Sequence, residues 1–364
     1  MSELRSIVEA ARDLRARGES PLLATVVDVR GSSYRKPGAR MIFSEERWLA
    51  GSISAGCLER DVVAKGAFRT RGGRAQVVTY DALHDERVGT GCDGIIDVLV
   101  ERTVGTSLCD PLHLIEHCLA NETRAVLLTV FRSENADVSV GSRLARLASG
   151  DQGCTLEAGP LVGALEREAA RVLAEVAGPA RVVRMRDVEV LVEHITPPPH
   201  LFVFGTMPDA VPVVQLARTV GFSVTVCEER AQLTTRERFR EADRHLIAPV
   251  ADCVAALTRC ARPAAVTMAH HYDRDLAALE QLVRTNVGYI GLLGSRARSA
   301  RLLDDLAARG HHIDEALRRR IHAPVGLPIG AESPREIALA IVAEVQAALA
   351  VPRMRAASDA VDAA

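Results

Sequence analysis

Apolar residues at Leu4, Ile7, Val8, Ala11 and Leu14 recur at the spacing that gathers them on one helix face, with charges between them. Residues 22–29 (LLATVVDV) then form an apolar, partly β-branched run closed by Gly31, which predicts a strand. Shorter strand-like pieces follow at 41–44, 75–79, 95–100 and 125–131, with helix-like stretches at 58–69 and 161–177. This mixture predicts an N-terminal mixed α+β domain over residues 1–196. No stretch of sequence repeats.

Pro197, Pro198 and Pro199 favour extended geometry and cannot sit inside a helix or central strand, so residues 197–199 are expected to be a linker. Beyond them the pattern becomes regular. Strand-like segments at 201–204, 223–226, 245–247, 264–268 and 288–293 alternate with helical ones, the first helix at 208–220. Parallel β-α-β units produce this alternation, so residues 200–350 are expected to form a Rossmann-like doubly wound parallel sheet, giving an α/β chain overall. The last helix is expected at 334–349. The Ala-rich residues 351–364 are expected to be a disordered tail.

A chain of 364 residues suits two domains, and 48% hydrophobic with 25% charged residues is an ordinary globular composition. The net charge of -2 supplies no general attraction to nucleic acid or an anionic membrane. No apolar run approaches the roughly 20 residues of a membrane span, and the charged amphipathic start is unlike a signal peptide, so a cytoplasmic location is expected. The eight cysteines, at positions 57, 92, 109, 118, 154, 227, 253 and 260, include no C-x-x-C pair, which fits reduced thiols better than a disulfide framework or zinc ribbon.

Candidate chemistry concentrates in three segments of the first half. The loop Gly31-Ser32-Ser33-Tyr34-Arg35-Lys36-Pro37-Gly38-Ala39-Arg40-Met41 combines backbone N–H groups, hydroxyls and positive charge, the ingredients for holding an anion; a plain hairpin with solvated charges is the competing reading. Gly51-Ser52-Ile53-Ser54-Ala55-Gly56-Cys57-Leu58-Glu59 leads a small-residue loop into a helix. A thiol at a helix start is polarised towards thiolate and can ligate a metal, yet cysteine is equally often a buried small hydrophobe. Gly89-Thr90-Gly91-Cys92-Asp93-Gly94 sets a second thiol among glycines, where a tight turn is the alternative.

In the second half, Gly205-Thr206-Met207-Pro208-Asp209-Ala210 stands where G-x-G-x-x-G/A would bind a dinucleotide. Met207 fills the volume that the second glycine leaves for pyrophosphate, and Asp209 would repel phosphate while favouring the helix start. Glu228, at the expected ribose distance, is weak support by itself, so NAD(P) binding is not expected. His270 and His271 follow a strand without zincin spacing, and at least one is expected to be a surface histidine. Gly294-Ser295-Arg296 forms a turn at another strand-to-helix junction, suited to an anion.

Taken together, G-S-S-x-R-x-P-G-A-x-M, G-S-I-S-x-G-C-L-E, G-x-G-C-x-G, G-L-L-G-S-R at 291–296 and P-x-G-L-x-I-G-A from Pro324 resemble the XdhC/CoxI family of xanthine dehydrogenase accessory proteins over nearly the whole chain. The resemblance implies a maturation factor without turnover of its own. Such a chaperone binds the molybdenum cofactor (Mo-molybdopterin) transiently, protects it during sulfuration and delivers it to a molybdenum hydroxylase such as xanthine dehydrogenase or carbon monoxide dehydrogenase. It implies cofactor contacts at Ser32, Ser33, Arg35, Ser54, Gly56, Cys57, Glu59 and Cys92, with Cys57 as metal ligand and a further contact at Gly294, Ser295 and Arg296. It also implies a cysteine desulfurase-type sulfurtransferase partner and a homodimer. The family's G-A-G-H-V-A turn is replaced around Met207, its Thr-His-Asp by Ala269-His270-His271, and its G-C-G-G by Gly91-Cys92-Asp93-Gly94. The alternative is an NAD(P)-dependent oxidoreductase on the Rossmann-like domain.

Overall fold

The computed structural model describes residues 2–54, 56, 58–81, 94–103, 105–175, 178–230 and 236–350. The expected tail, 351–364, lies outside them. The chain divides into two compact units, Glu3–Thr196 and Pro197–Ala350.

In the first unit α1 (Ser2–Ala16), β1 (Leu22–Arg30), β2 (Arg40–Phe43), β3 (Trp48–Gly51), α2 (Glu59–Arg69), β4 (Gln76–Asp81) and β5 (Ile95–Arg102) come first. The next elements are α3 (Pro111–Ala120), β6 (Ala125–Ser133), β7 (Arg143–Leu147), β8 (Gln152–Cys154), α4 (Pro160–Ala174), β9 (Arg181–Met185) and β10 (Val188–Ile195). Each set builds an antiparallel five-stranded sheet, ordered β3-β2-β1-β5-β4 and β8-β7-β6-β10-β9. The order of elements and of strands is the same in both, so the unit is a repeat of topology that the sequence does not display.

The central strands read as continuous apolar runs because both faces are covered. Leu22, Ala24 and Val26 pack with Val62 of α2, whereas Leu23 on the opposite face packs with Ile7 and Leu14 of α1. In the second repeat Val126, Leu128 and Val130 pack with Leu165, Ala169 and Val172 of α4, and Ala125 and Leu127 with Leu114, Ile115 and Cys118 of α3.

The correspondence extends to single residues. Thr25 pairs with Arg40 across β1 and β2, and Thr129 with Arg143 across β6 and β7. Each central strand carries one bulged residue, Val27 and Phe131, and these two meet Leu99 and Leu191 in a cluster shared by the sheets. Contacts between repeats are reciprocal: Arg40 pairs with Glu193 of β10 at 2.7 Å, and Arg143 with Glu101 of β5 at 2.5 Å, all four side chains buried. Val8 of α1 joins the apolar cluster of the second sheet, and Leu112 of α3 joins that of the first. Residue i meeting j while the counterpart of j meets that of i is the signature of an approximate twofold.

The second unit contains β11 (His200–Phe204), α5 (Ala210–Thr219), β12 (Ser223–Glu228), β13 (Arg244–Ile247), α6 (Val250–Leu257) and β14 (Pro263–Thr267). It continues through α7 (Tyr272–Leu282), β15 (Tyr289–Leu292), α8 (Arg296–Ala308), α9 (Glu315–Arg320), β16 (Ile321–His322) and α10 (Pro334–Ala348). Its six strands are parallel in the order β13-β12-β11-β14-β15-β16, the dinucleotide-fold arrangement whose direction reverses between β11 and β14. Helices cover both faces, so β11 is buried at all five positions. Ser333 and Glu336 close a capping box at the start of α10, with Pro334 in the first turn.

Candidate functional site

Antiparallel pairing brings parts of the three candidate motifs to one end of the first sheet. Residues 31–39 join β1 to β2, and Gly51, the last residue of β3, lies opposite Met41. Gly94 precedes Ile95, which pairs with Arg30. A Cβ on Gly94 would stand 2.2 Å from the Ser32 carbonyl oxygen, and one on Gly51, at φ +74°, 2.2 Å from that of Arg40. Both glycines are therefore required by close backbone approach.

The second motif is organised by Glu59, in the first turn of α2 and only 2% exposed. One carboxylate oxygen accepts from Ser52 Oγ at 2.7 Å and from the backbone N–H groups of Ile53 and Ser54, both at 2.9 Å. The other accepts from Ser54 Oγ and from the Gly56 N–H at 2.8 Å. Ser54 Oγ in turn accepts from the Leu58 N–H. Burial alone would raise this carboxyl, but the bonds from Ser54, Ser52 and the loop amides outweigh it and hold it at about 2. Glu59 thus spends both oxygens fixing the loop, a role that spacing did not reveal.

Among the other expected contacts, Ser32 is exposed and Ser33 half-buried. Arg35 is half-buried and pairs with Glu3 of α1 at 2.5 Å, so an incoming anion must share or displace that carboxylate. Gly56 is exposed at φ +117°. Cys57 and Cys92 lie outside the described residues. Two further residues of the first loop bear on an anion site, Lys36 as the second member of the basic pair and Tyr34, to which the sequence assigned no role. Lys36 is exposed with no ion-pair partner among the described residues, and Tyr34 is 72% exposed, an aromatic ring offered to solvent. Their signal lay in the loop itself, as the aromatic and the second cation beside Arg35.

Gly294, Ser295 and Arg296 form a separate locus in the second unit, at the carboxyl end of β15. Ser295 caps α8 by accepting from the Arg298 N–H, and a Cβ on Gly294 would stand 2.7 Å from Arg298 Cδ. Arg296 is exposed, whereas the Arg298 guanidinium pairs with buried Asp275.

The turn after β11 departs from a dinucleotide site in three ways. A Cβ on Gly205 would stand 2.4 Å from the Met268 carbonyl oxygen, so this glycine serves strand-to-strand approach. Met207 is 41% exposed. Glu228 is buried and engaged by Thr206 Oγ1 at 2.9 Å, by the Glu229 and Arg230 N–H groups and by the Arg274 guanidinium. Asp209 makes no side-chain cap on α5, which begins at Ala210 rather than at 208; it pairs instead with His270 Nε2 at 2.6 Å. His270 and His271 are both exposed. No helix among the described residues is long and apolar enough to cross a membrane.

Comparison with known proteins gives a consistent likeness. Residues 14–81 match the model of the XdhC and CoxI family, and residues 201–345 that of the XdhC Rossmann domain. The chain is 31% identical over 331 residues to a Bacillus subtilis protein described as a probable xanthine dehydrogenase subunit, covering 90% of this chain and 92% of that protein. It is 32% identical over 134 residues to the uncharacterized protein YqeB of Escherichia coli, of which it spans 24%. Among solved structures it resembles a protein described as a xanthine dehydrogenase from Bacillus halodurans, with TM-score 0.74 and 26% identity, over 94% of this chain and 95% of that one.

Proposed function

Because this chain belongs to the XdhC and CoxI family, we propose that it is an accessory factor for a xanthine dehydrogenase-type enzyme, holding the molybdenum cofactor and delivering it to that client. The observation that carries this reading is that the motif loops leave the same end of the first sheet, with Gly94 in close backbone approach to Ser32 and Gly51 to Arg40.

The donor set fits the cofactor's chemistry. Its phosphate suits the Ser32 and Ser33 hydroxyls with Lys36 and, on release from Glu3, Arg35. Its planar ring suits the exposed face of Tyr34. Ser54 and Gly56, tied to Glu59, set the path of the chain that leads to Cys57. A thiol is the soft ligand that binds molybdenum, and Cys57 is the ligand proposed, with Cys92 the second thiol. When bound, the cofactor supplies the redox metal centre destined for the client; this chain's residues bind, orient and shield it. Glu59 acts as a positioning residue. Gly294, Ser295 and Arg296 are proposed as a further anion contact in the second unit.

In this reading the protein has no turnover of its own, works in the cytoplasm as a homodimer, and meets a cysteine desulfurase-type sulfurtransferase that installs the terminal sulfur. The engagement of Glu228 and the side chain at Met207 support this reading over an NAD(P)-dependent oxidoreductase. The test is molybdenum and pterin analysis of protein purified anaerobically from a molybdenum-replete host, with Cys57→Ala and Lys36→Ala beside the parent. Molybdenum retained by the parent and reduced in both variants at unchanged melting temperature is expected. Equal occupancy in all three overturns the site, and a metal-free, pterin-free parent overturns the function.

A further inference from the structure

A cavity of about 770 Å³, in the range of small-molecule sites, lies between the two repeats of the first unit: Arg74, Ala75 and Glu101 come from the first repeat, and Ser139, Arg143 and Thr155 from the second. Its second-repeat wall is built on the copy of the framework that bears the first repeat's motifs. Gly141 and Arg143 line it, at the places that Gly38 and Arg40 hold in the first repeat: Gly141 donates to the Val130 carbonyl as Gly38 does to that of Val26, and both glycines have φ +89°. Thr155 also lines it and corresponds to Ser52, since Cys154 lies opposite Leu144 as Gly51 lies opposite Met41. Because α4 begins at Pro160 as α2 begins at Glu59, Pro160 stands where the first repeat has Glu59, and Ala158 where it has Cys57. The second copy therefore keeps the pocket framework without counterparts of Cys57 and Glu59, and a centre ligated at the place of Cys57 is not its ligand; the thiol of this lining is Cys109 instead.

Charge decides what is. The acidic groups of the lining are already satisfied: Glu101 pairs with Arg143, and Asp110 accepts from the Gly105, Leu112 and His113 N–H groups at the start of α3. Arg102 pairs with Glu45. Arg74 is exposed and has no ion-pair partner among the described residues, so it is the guanidinium that the described lining leaves for an anion. Hydroxyls of Ser139 and Ser142 stand in the same lining, and Ala75 and Val140 supply an apolar patch.

We propose that this cavity binds a phosphorylated heterocycle, its phosphate at Arg74 and its ring on the patch of Ala75 and Val140. The proposal does not depend on the first repeat holding a molybdenum cofactor. Purine nucleotides and pterin phosphates share this chemistry, so calorimetry on the full chain uses GMP and 6-hydroxymethylpterin phosphate as separate probes, with parent, Arg74→Ala and Lys36→Ala. Saturable binding of one probe, at least tenfold weaker in Arg74→Ala and unaltered in Lys36→Ala, is expected, and the tighter probe identifies the ring. Arg74 is exposed, so its removal should leave the melting temperature unchanged, and that is measured alongside. No saturable binding of either probe up to 5 mM overturns the proposal. So does an affinity that Arg74→Ala leaves intact, or one lost only with Lys36, which would place the ligand at the 31–39 loop.

Discussion

Glu59→Gln tests whether one buried carboxylate organises the 52–58 loop. The amide retains one oxygen and turns an NH2 group towards donors, so the two bonds from Ser54 Oγ and the Gly56 N–H lose their acceptor at best. At ~1.5–3 kcal/mol for each bond to a charged group, the loss is ~3–6 kcal/mol before the loop relaxes. The depressed carboxyl expresses the same bonds in terms of pH. A carboxyl held at about 2 against its ordinary 4.5 stabilises the folded state by ~3 kcal/mol at neutral pH, and the group is too buried for solvent to discount this. Because the folded-state value is depressed, the stabilisation is complete above pH 4.5 and disappears as pH falls towards 2. Denaturant unfolding of parent and variant at several pH values between 7 and 2.5 measures the difference. A gap of ~3 kcal/mol at pH 7, equivalent to a melting shift of ~6–12 °C for a unit of this size, should close progressively below pH 4.5. Other carboxylates titrate in both proteins and cancel in the comparison. A gap that stays constant with pH, or parental stability at pH 7, would refute the assignment.

Three further outcomes are expected. Gly94→Ala should lower the melting temperature and weaken cofactor retention together, since its Cβ would meet the Ser32 carbonyl at 2.2 Å; thermal unfolding that matches the parent would contradict the close approach. Arg40→Met and Glu193→Leu should each cost ~3–5 kcal/mol, because each strands a buried charge, whereas the double variant should recover most of that loss in a double-mutant cycle; additive losses would mean that the two groups do not depend on each other. Calorimetry should detect no NAD(H) or NADP(H) binding up to ~1 mM, an affinity limit of about -4 kcal/mol. Tight binding by the parent protein would show that Met207 and the engaged Glu228 leave room for a dinucleotide after all.

Local sequence was sufficient where one short segment carries its own instruction. Leu4, Ile7, Val8, Ala11 and Leu14 mark one face of α1, and all but Leu4 are fully buried. The alternation beyond the prolines specified a parallel sheet, because buried parallel strands must be apolar throughout and separated by crossover helices. In the second repeat β7 to β9 are too short to carry a readable period, whereas β10 (VEVLVEHI) does carry one, with Val188, Val190 and Val192 alternating with Glu189, Leu191 and Glu193. For α3 the signal was present, with Asp110 capping and Pro111 in the first turn, but its length hid it among loops. The motif loops were likewise visible as unusual local chemistry. Their roles were not, since Arg35 meets Glu3 and Ser32 meets Gly94 only after strands have paired. The duplicated topology lay furthest from the sequence. The repeats preserve register, bulge positions and reciprocal Arg–Glu pairs while their side chains differ, and such relations exist between residues that only the folded chain brings together. Sequence alone determined the elements that hydrophobic period and capping encode over a few residues. Tertiary structure decided the partners, because a buried charge or close glycine is defined by what lies across the sheet from it.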